Sequence, residues 1–446
     1  MNFKRPLFAT LLLLASQIGA THNTQQALDT SVEWALNVGG EKFISQDGIV
    51  YQSDTQFTAE SARISLIKGS QDSRVFKTYR EGVKQIQQKI DNGVYTVILK
   101  FAEPQDIDIG ERVFDVLIEG QREIQNVDIV LDRSGNSQSS VVRVVNNVEV
   151  NDGILDIELK ASVGEPILNA IVVRKKAKVN HDWVMVWSDE FDYTGEPDPG
   201  KWTHNIWPAK KVNNEEQAYT NRLRNVRVEG GLLIIEAHYE DFDNANFTSG
   251  RIHSAGKGDM LYGRVEVRAK LPAGQGTWPA IWMLPTDPYR YAGNCPKDQD
   301  WQGNPNCDAW PNSGEIDIME HVGYDMNRVH GTVHNRAYYW VNGEQRQSSI
   351  EAKNVDQEFH VYAMQWSPER IDIFYDNDLY FTYLNQGEGW RAWPYDHPFH
   401  LILNIAVGGG WGGAGGPTDT SVFPVKMEVD YVRLYQKHNQ VSLIEK

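Results

Sequence analysis

Cysteine is nearly absent from this chain of 446 residues; only Cys295 and Cys307 occur. That excludes a small disulfide-knit scaffold and zinc sites built on cysteine clusters. Basic charge is also short, with 43 Lys and Arg against 60 Asp and Glu and a formal charge of −17. Such a surface repels phosphate backbones, which argues against nucleic acid as a partner. Beyond the N-terminus no run of about 18 apolar residues is available to cross a bilayer. HExxH is missing, so His330 and His334 of VHGTVH lack the setting of a zinc hydrolase. A sustained helical period is missing too. Aromatic residues, by contrast, are plentiful, with 14 Trp and 19 Tyr. On an acidic chain these flat apolar faces suit a neutral ligand such as a sugar, although they would serve a core equally well.

The N-terminus reads MNFKRPLFATLLLLASQIGA. Lys4 and Arg5, then Leu7 to Ala15, then Ala20 form the charged, apolar and cleavage regions of a signal peptide over residues 1–20. The mature protein is expected to be secreted, extracellular or periplasmic, free of the membrane and monomeric. In an oxidising compartment Cys295 and Cys307 are expected to pair across NCPKDQDWQGNPNC. Closing that loop contributes about 3 kcal/mol on the chain-entropy model. Two free thiols are the alternative.

The basic, polar stretch RKKAKVNHD divides two segments of similar character. Before it, YTVILKFAE, ERVFDVLIEG, VVRVVNNVEV and ILDIELKA alternate like antiparallel strands. After it, GRVEVRAKL, FHVYAMQWS, RIDIFYDNDLYFTY and FHLILNIAVGG do the same. The expectation is an all-β chain of two sandwiches, at 31–175 and 182–437, with a linker at 176–181 and a polar tail at 438–446.

One strand pattern, GEIDIMEHVG, carries three acids. In a strand, residues two apart share a face, so Glu315 and Asp317 point together. Glu320 is five residues after Glu315 and would point away. A β-bulge at Ile318–Met319 inserts one extra residue and returns Glu320 to the shared face. Three carboxyls on one apolar, Trp-flanked strand suit a pair of working acids with an assisting third. A solvent-facing acidic edge or a metal site is the alternative.

With these neighbours, the strand resembles the active-site strand of glycoside hydrolase family 16 in its bulged form ExDxxE. The resemblance runs from about Trp183 to Tyr435 and includes WSDEFD, NNEEQAYT, SGRIHSAGK, YGRVEVRAKLPAGQGTWPAIWMLP, VHGTVHN, NIAVGGGWGG and MEVDYVRLY. It is most similar to the laminarinase branch, which cuts β-1,3-glucan. It implies a β-jelly-roll in which Glu315 is the nucleophile, Glu320 the acid/base and Asp317 the assisting carboxylate. It also implies that Trp278, Trp282 and Trp310 line donor subsites, although Trp282 also reads as core. Asn214 and Arg251 are implied to touch sugar hydroxyls, His334 to sit beside the acids, and Trp411 to stand on the closing glycine-rich loop. No cofactor is implied for catalysis. A structural calcium is implied at Glu190, Gly230 and Asp430. Other β-glycans (agarose, carrageenan, mixed-linkage glucan) are alternative substrates, and a non-catalytic glucan-recognition protein is a distant one.

The first segment resembles malectin, a sugar-binding β-sandwich, through ALNVGGEKF, GIVYQSD, VFKTYR, FDVLIEGQ and PILNAIVV. Tyr51 and Tyr79 are its candidate stacking residues, with core packing the alternative for each. It has no paired acids on one strand, which suits a binding module rather than a second catalyst.

Overall fold

The computed structural model describes residues 31–55, 62–63, 67–175, 183–297 and 299–437. The expected signal peptide, linker and polar tail lie outside the described residues. The chain is built of strands, as alternation predicts. In Gly263–Lys270, for example, Val265, Val267 and Ala269 are buried, whereas Glu266, Arg268 and Lys270 keep some exposure. This strand pairs with His360–Trp366 on one side and Val425–Lys437 on the other, at the centre of a ten-stranded sheet.

A second sheet packs against it and carries the acids. Its strands run in the order Thr203–His204, Arg251–His253, Phe399–Val407, Thr277–Pro285, Glu315–Glu320, Arg328–His334 and Arg346–Glu351. Ile281, Met283, Ile316, Ile318, Val329, Val333 and Ile350 from this sheet join Val265, Val267, Met364 and Ile373 of the other in one buried core. The opposite face of the acid-bearing sheet is left for function.

The first domain has its own core between two sheets. Leu99, Phe101, Val145 and Ile171 meet Phe114, Val116, Ile124 and Ile157 there. Its covering sheet is Gln85–Lys89, Ile154–Val163, Val113–Ile118 and Gln121–Val127. The two sandwiches are joined by direct strand pairing. Ser140–Val150 pairs in parallel with Arg346–Glu351, Arg143 opposite Ser349 and Val144 opposite Ile350. One thirteen-stranded sheet therefore runs through both domains. The pairing covers an edge that would otherwise present unpaired backbone groups. A buried charge cluster seals the joint. Arg143 binds Glu351 at 2.5 Å and Asp132 at 3.1 Å, and Asp132 also binds Arg328 at 2.8 Å. Alternation in sequence marks a strand but does not say which strand will lie beside it.

Candidate active site

The acidic strand is bulged where its alternation required. Met319 sits opposite Ile281 and Asp317 opposite Trp282, so Ile318 is the extra residue. On the other side Asp317 faces Thr332 and Glu320 faces His330, again one residue out of step. Ile316, Ile318 and Met319 are fully buried in the sandwich. The hydroxyl of Tyr380 donates to the carbonyl of Ile318 at 3.0 Å, which satisfies the backbone group that the bulge withdraws from the ladder. Glu315, Asp317 and Glu320 consequently share the open face, the two glutamates partly exposed and Asp317 buried.

Each glutamate receives an indole N–H. Trp310 Nε1 donates to Glu315 Oε2 at 3.2 Å, and Trp278 Nε1 to Glu320 Oε1 at 3.1 Å. His334 Nε2 lies 3.2 Å from Asp317 and 3.5 Å from Glu315. Burial raises all three carboxyls above the usual range. At Glu315 the charge of Asp317 adds to burial, while His334 and the Trp310 hydrogen bond oppose it. Asp317 is raised by burial. Glu320 is pushed up to about 8 by burial and then by Asp317, against His334 and Trp278. A carboxyl that keeps its proton near neutrality can donate it, as a general acid must.

Aromatic walls flank the acids. Trp411 stands on the turn Gly409–Gly412, its ring 5.6 Å from Trp278 and 5.0 Å from His330. Gly409, at φ +71°, is needed here, because a Cβ would lie 2.9 Å from the carbonyl of Asn213. The same close approach lets Gly410 N–H donate to Asn213 at 2.9 Å, docking the turn that carries Asn214 against the glycine-rich loop. Asn214 is exposed there at φ +55°. Burial pushes His330 down to about 3, with Arg328 adding to the effect, so a neutral ring faces Trp411.

Arg251 lies beyond Trp282, sandwiched between two indoles, 4.3 Å from Trp207 and 4.7 Å from Trp282. Its Nε donates to Asn205 at 2.9 Å and its Nη2 to Gln302 at 3.2 Å. Trp282 is both wall and structure, since its Nε1 donates to Asn404 at 2.7 Å. Trp207, Asn205, Gln302, Asn404 and Tyr380 escaped the sequence reading. Only Trp207 carried a usable signal, as an isolated Trp shortly before NNEEQ. The Cys295–Cys307 disulfide is formed. Its loop supplies Gln302 to Arg251 and an ion pair from Asp300 to Lys211.

One expectation is corrected and one alternative is decided. The calcium set is not an open oxygen cage, because Glu190 is held by Arg433 at 2.9 and 2.7 Å and Asp430 by Arg268 at 2.5 Å. With both carboxylates neutralised by guanidinium groups, Glu190, Gly230 and Asp430 do not fit a dication as they stand. Among the described residues, the gathered set of potential metal ligands is Glu315, Asp317 and His334. In the first domain Tyr51 is fully buried, stacked on Phe43 at 5.0 Å, and so is core rather than ligand platform. Tyr79 is partly buried and packs against the hydrophobic cores.

The Malectin domain model matches residues 32–180, and the model of Glycosyl hydrolases family 16 matches residues 213–433. A beta-glucanase of Rhodothermus marinus is 48% identical over 260 residues, which cover 57% of this chain and 85% of the relative. The X-ray structure of the laminarinase from Rhodothermus marinus aligns with a TM-score of 0.51 at 48% identity, covering 57% of this chain and 97% of that one. A keratan-sulfate endo-1,4-beta-galactosidase of Sphingobacterium multivorum is 36% identical, over 62% of this chain and 60% of the relative.

Proposed function

The chain belongs to glycosyl hydrolase family 16 and hydrolyses β-glucan; from that premise we propose that it is a secreted, endo-acting enzyme that cuts β-1,3-glucosidic bonds with retention. The observation that carries this reading is the bulge that places Glu315, Asp317 and Glu320 on one open face between indoles. Glu315 attacks the anomeric carbon while Glu320 protonates the departing glycosidic oxygen, leaving a covalent glycosyl-enzyme. Glu320, now ionised, takes a proton from water, which attacks the same carbon and releases Glu315. Asp317 and His334 sit beside Glu315 and set its charge, and the Trp310 N–H fixes its orientation. Trp278, Trp282, Trp310 and Trp411 offer ring faces to sugar C–H faces, Asn214 meets hydroxyls, and Arg251, buried between Trp207 and Trp282, holds those two rings in place.

The laminarinase and beta-glucanase relatives support β-1,3-glucan as substrate. The galactosidase relative acts on a sulfated polymer, which a chain of charge −17 is poorly suited to approach. Product profiling on laminarin, lichenan, agarose, carrageenan and keratan sulfate separates these substrates. Proton NMR of the first product from laminarin should show the β-anomer. An α-anomer would mean inversion and remove Glu315 from the nucleophile role.

A further inference from the structure

The face that carries the acids can be followed across the sheet to its end. Glu315, Asp317 and Glu320 pair with His334, Thr332 and His330. Directly paired residues point to the same side of a sheet. On Arg346–Glu351 that side therefore carries Gln347, Ser349 and Glu351, opposite Thr332, His330 and Arg328. The next strand is Ser140–Val150, with Arg143 opposite Ser349. Arg143 pairs with Leu99, which pairs with Ile171, and both apolar residues lie in the first domain's own core. Val144, Ile98 and Val172, on the other side, belong to the core shared with the catalytic sandwich. The first domain's covering sheet thus stands on the acids' side, immediately past the edge strand.

The helical turn Ile129–Asp132 meets the strands beside the acids. Asp132 accepts from Arg328, on the strand beside the acids, at 2.8 Å. Its backbone carbonyl accepts from Gln347 at 3.4 Å. Arg133 Nη2 donates to the carbonyls of Gly343 and Gln345 at 2.7 and 3.1 Å, which fixes the turn to the neighbouring loop. Arg251, Trp282 and Asn404 lie on the opposite side of the acidic strand. If donor sugars lie toward Arg251, acceptor sugars run toward the turn. The edge strand is two strand spacings from the acids, about 10 Å, a length that about two linked pyranose rings fill.

We propose that the first domain is the end wall of the acceptor side of the cleft, limiting floor contact to two or three sugar units beyond the cleaved bond. A longer acceptor chain turns away from the floor and gains no further binding. This rests on the β-1,3-glucanase reading of the site. The test is cleavage mapping of laminariheptaose labelled with 18O at its reducing end, using the full chain. The expected result is that labelled di- and trisaccharide dominate, and that kcat/KM stops rising once three units lie on the acceptor side. Dominant labelled products of five units overturn the wall and leave the glucanase reading intact. No cleavage of the heptaose overturns that reading instead. Asp132→Asn, checked for folding by near-UV circular dichroism, should shift the label toward longer products. An unchanged pattern in a folded variant overturns the role given to the turn.

Discussion

Glu320 sets the pH behaviour of the site. Burial holds its pKa at about 8, so kcat/KM should fall as pH rises through that value and the general acid is lost. On the acid side the rate should fall as the coupled pair takes up its second proton, at a pH above the ordinary carboxylate range of about 4.3, because burial raises both glutamates. A pH profile on soluble laminarin checks both limbs, and an alkaline limb near pH 5 would contradict the assignment. Trp278→Phe removes a hydrogen bond that favours the ionised form, so the alkaline limb should move to higher pH. The same shift has a stability consequence. The folded pKa of Glu320 is raised above the unfolded value, so its contribution is fully present below about pH 4 and is lost as pH rises toward 8. Glu320→Gln should therefore raise stability by up to roughly 4 kcal/mol at pH 8 and leave it unchanged at pH 4. Thermal melts at the two pH values measure the difference.

At the scale of the element, the bulge decides whether the strand is catalytic. Deleting Met319 restores simple alternation and keeps Glu320 on the open face, one residue closer to Glu315. The carboxyl separation changes, and kcat should fall on the order of a hundredfold or more, the share expected of a general acid. Tyr380→Phe tests the support rather than the spacing. It leaves the buried Ile318 carbonyl without its donor, at a cost of about 1–3 kcal/mol in chemical denaturation. The loss in kcat should be smaller than for the deletion. This bulge was legible in sequence because three acids in an apolar strand have a sensible arrangement only if the register shifts. Its support was not, since Tyr380 lies on a distant strand and nothing in RIDIFYDNDLYFTY marks one Tyr over another.

For the whole molecule, the joint between domains outweighs the linker. Asp132, Arg143, Arg328 and Glu351 are charges that were withdrawn from water together. Burial opposes ionisation of Asp132, yet Arg328 and Arg143 hold its carboxyl below the usual range. Removing one side of such a cluster strands the other, at a cost of about 3–5 kcal/mol. Asp132→Ala in the full chain should therefore lower stability by about that amount in urea, and residues 183–437 alone should be more prone to associate through the bared edge Arg346–Glu351. An unchanged denaturation midpoint for Asp132→Ala would show that the joint contributes little.

By itself the sequence determined the all-β class, the two sandwiches, the disulfide and the acids with their bulge. These follow from local rules, namely side-chain alternation, turn residues and the cost of aiming a carboxylate into an apolar layer. The tertiary structure alone decided what lies beside what. It placed Arg251 between Trp207 and Trp282, brought Gln302 across from the disulfide loop, and decided between core and ligand platform for Tyr51 by burying it. It also joined the two sheets through Ser140–Val150 and Arg346–Glu351. A strand's pattern fixes which of its faces is apolar, whereas its neighbour is chosen by backbone edges and buried charges that meet only when the chain is folded.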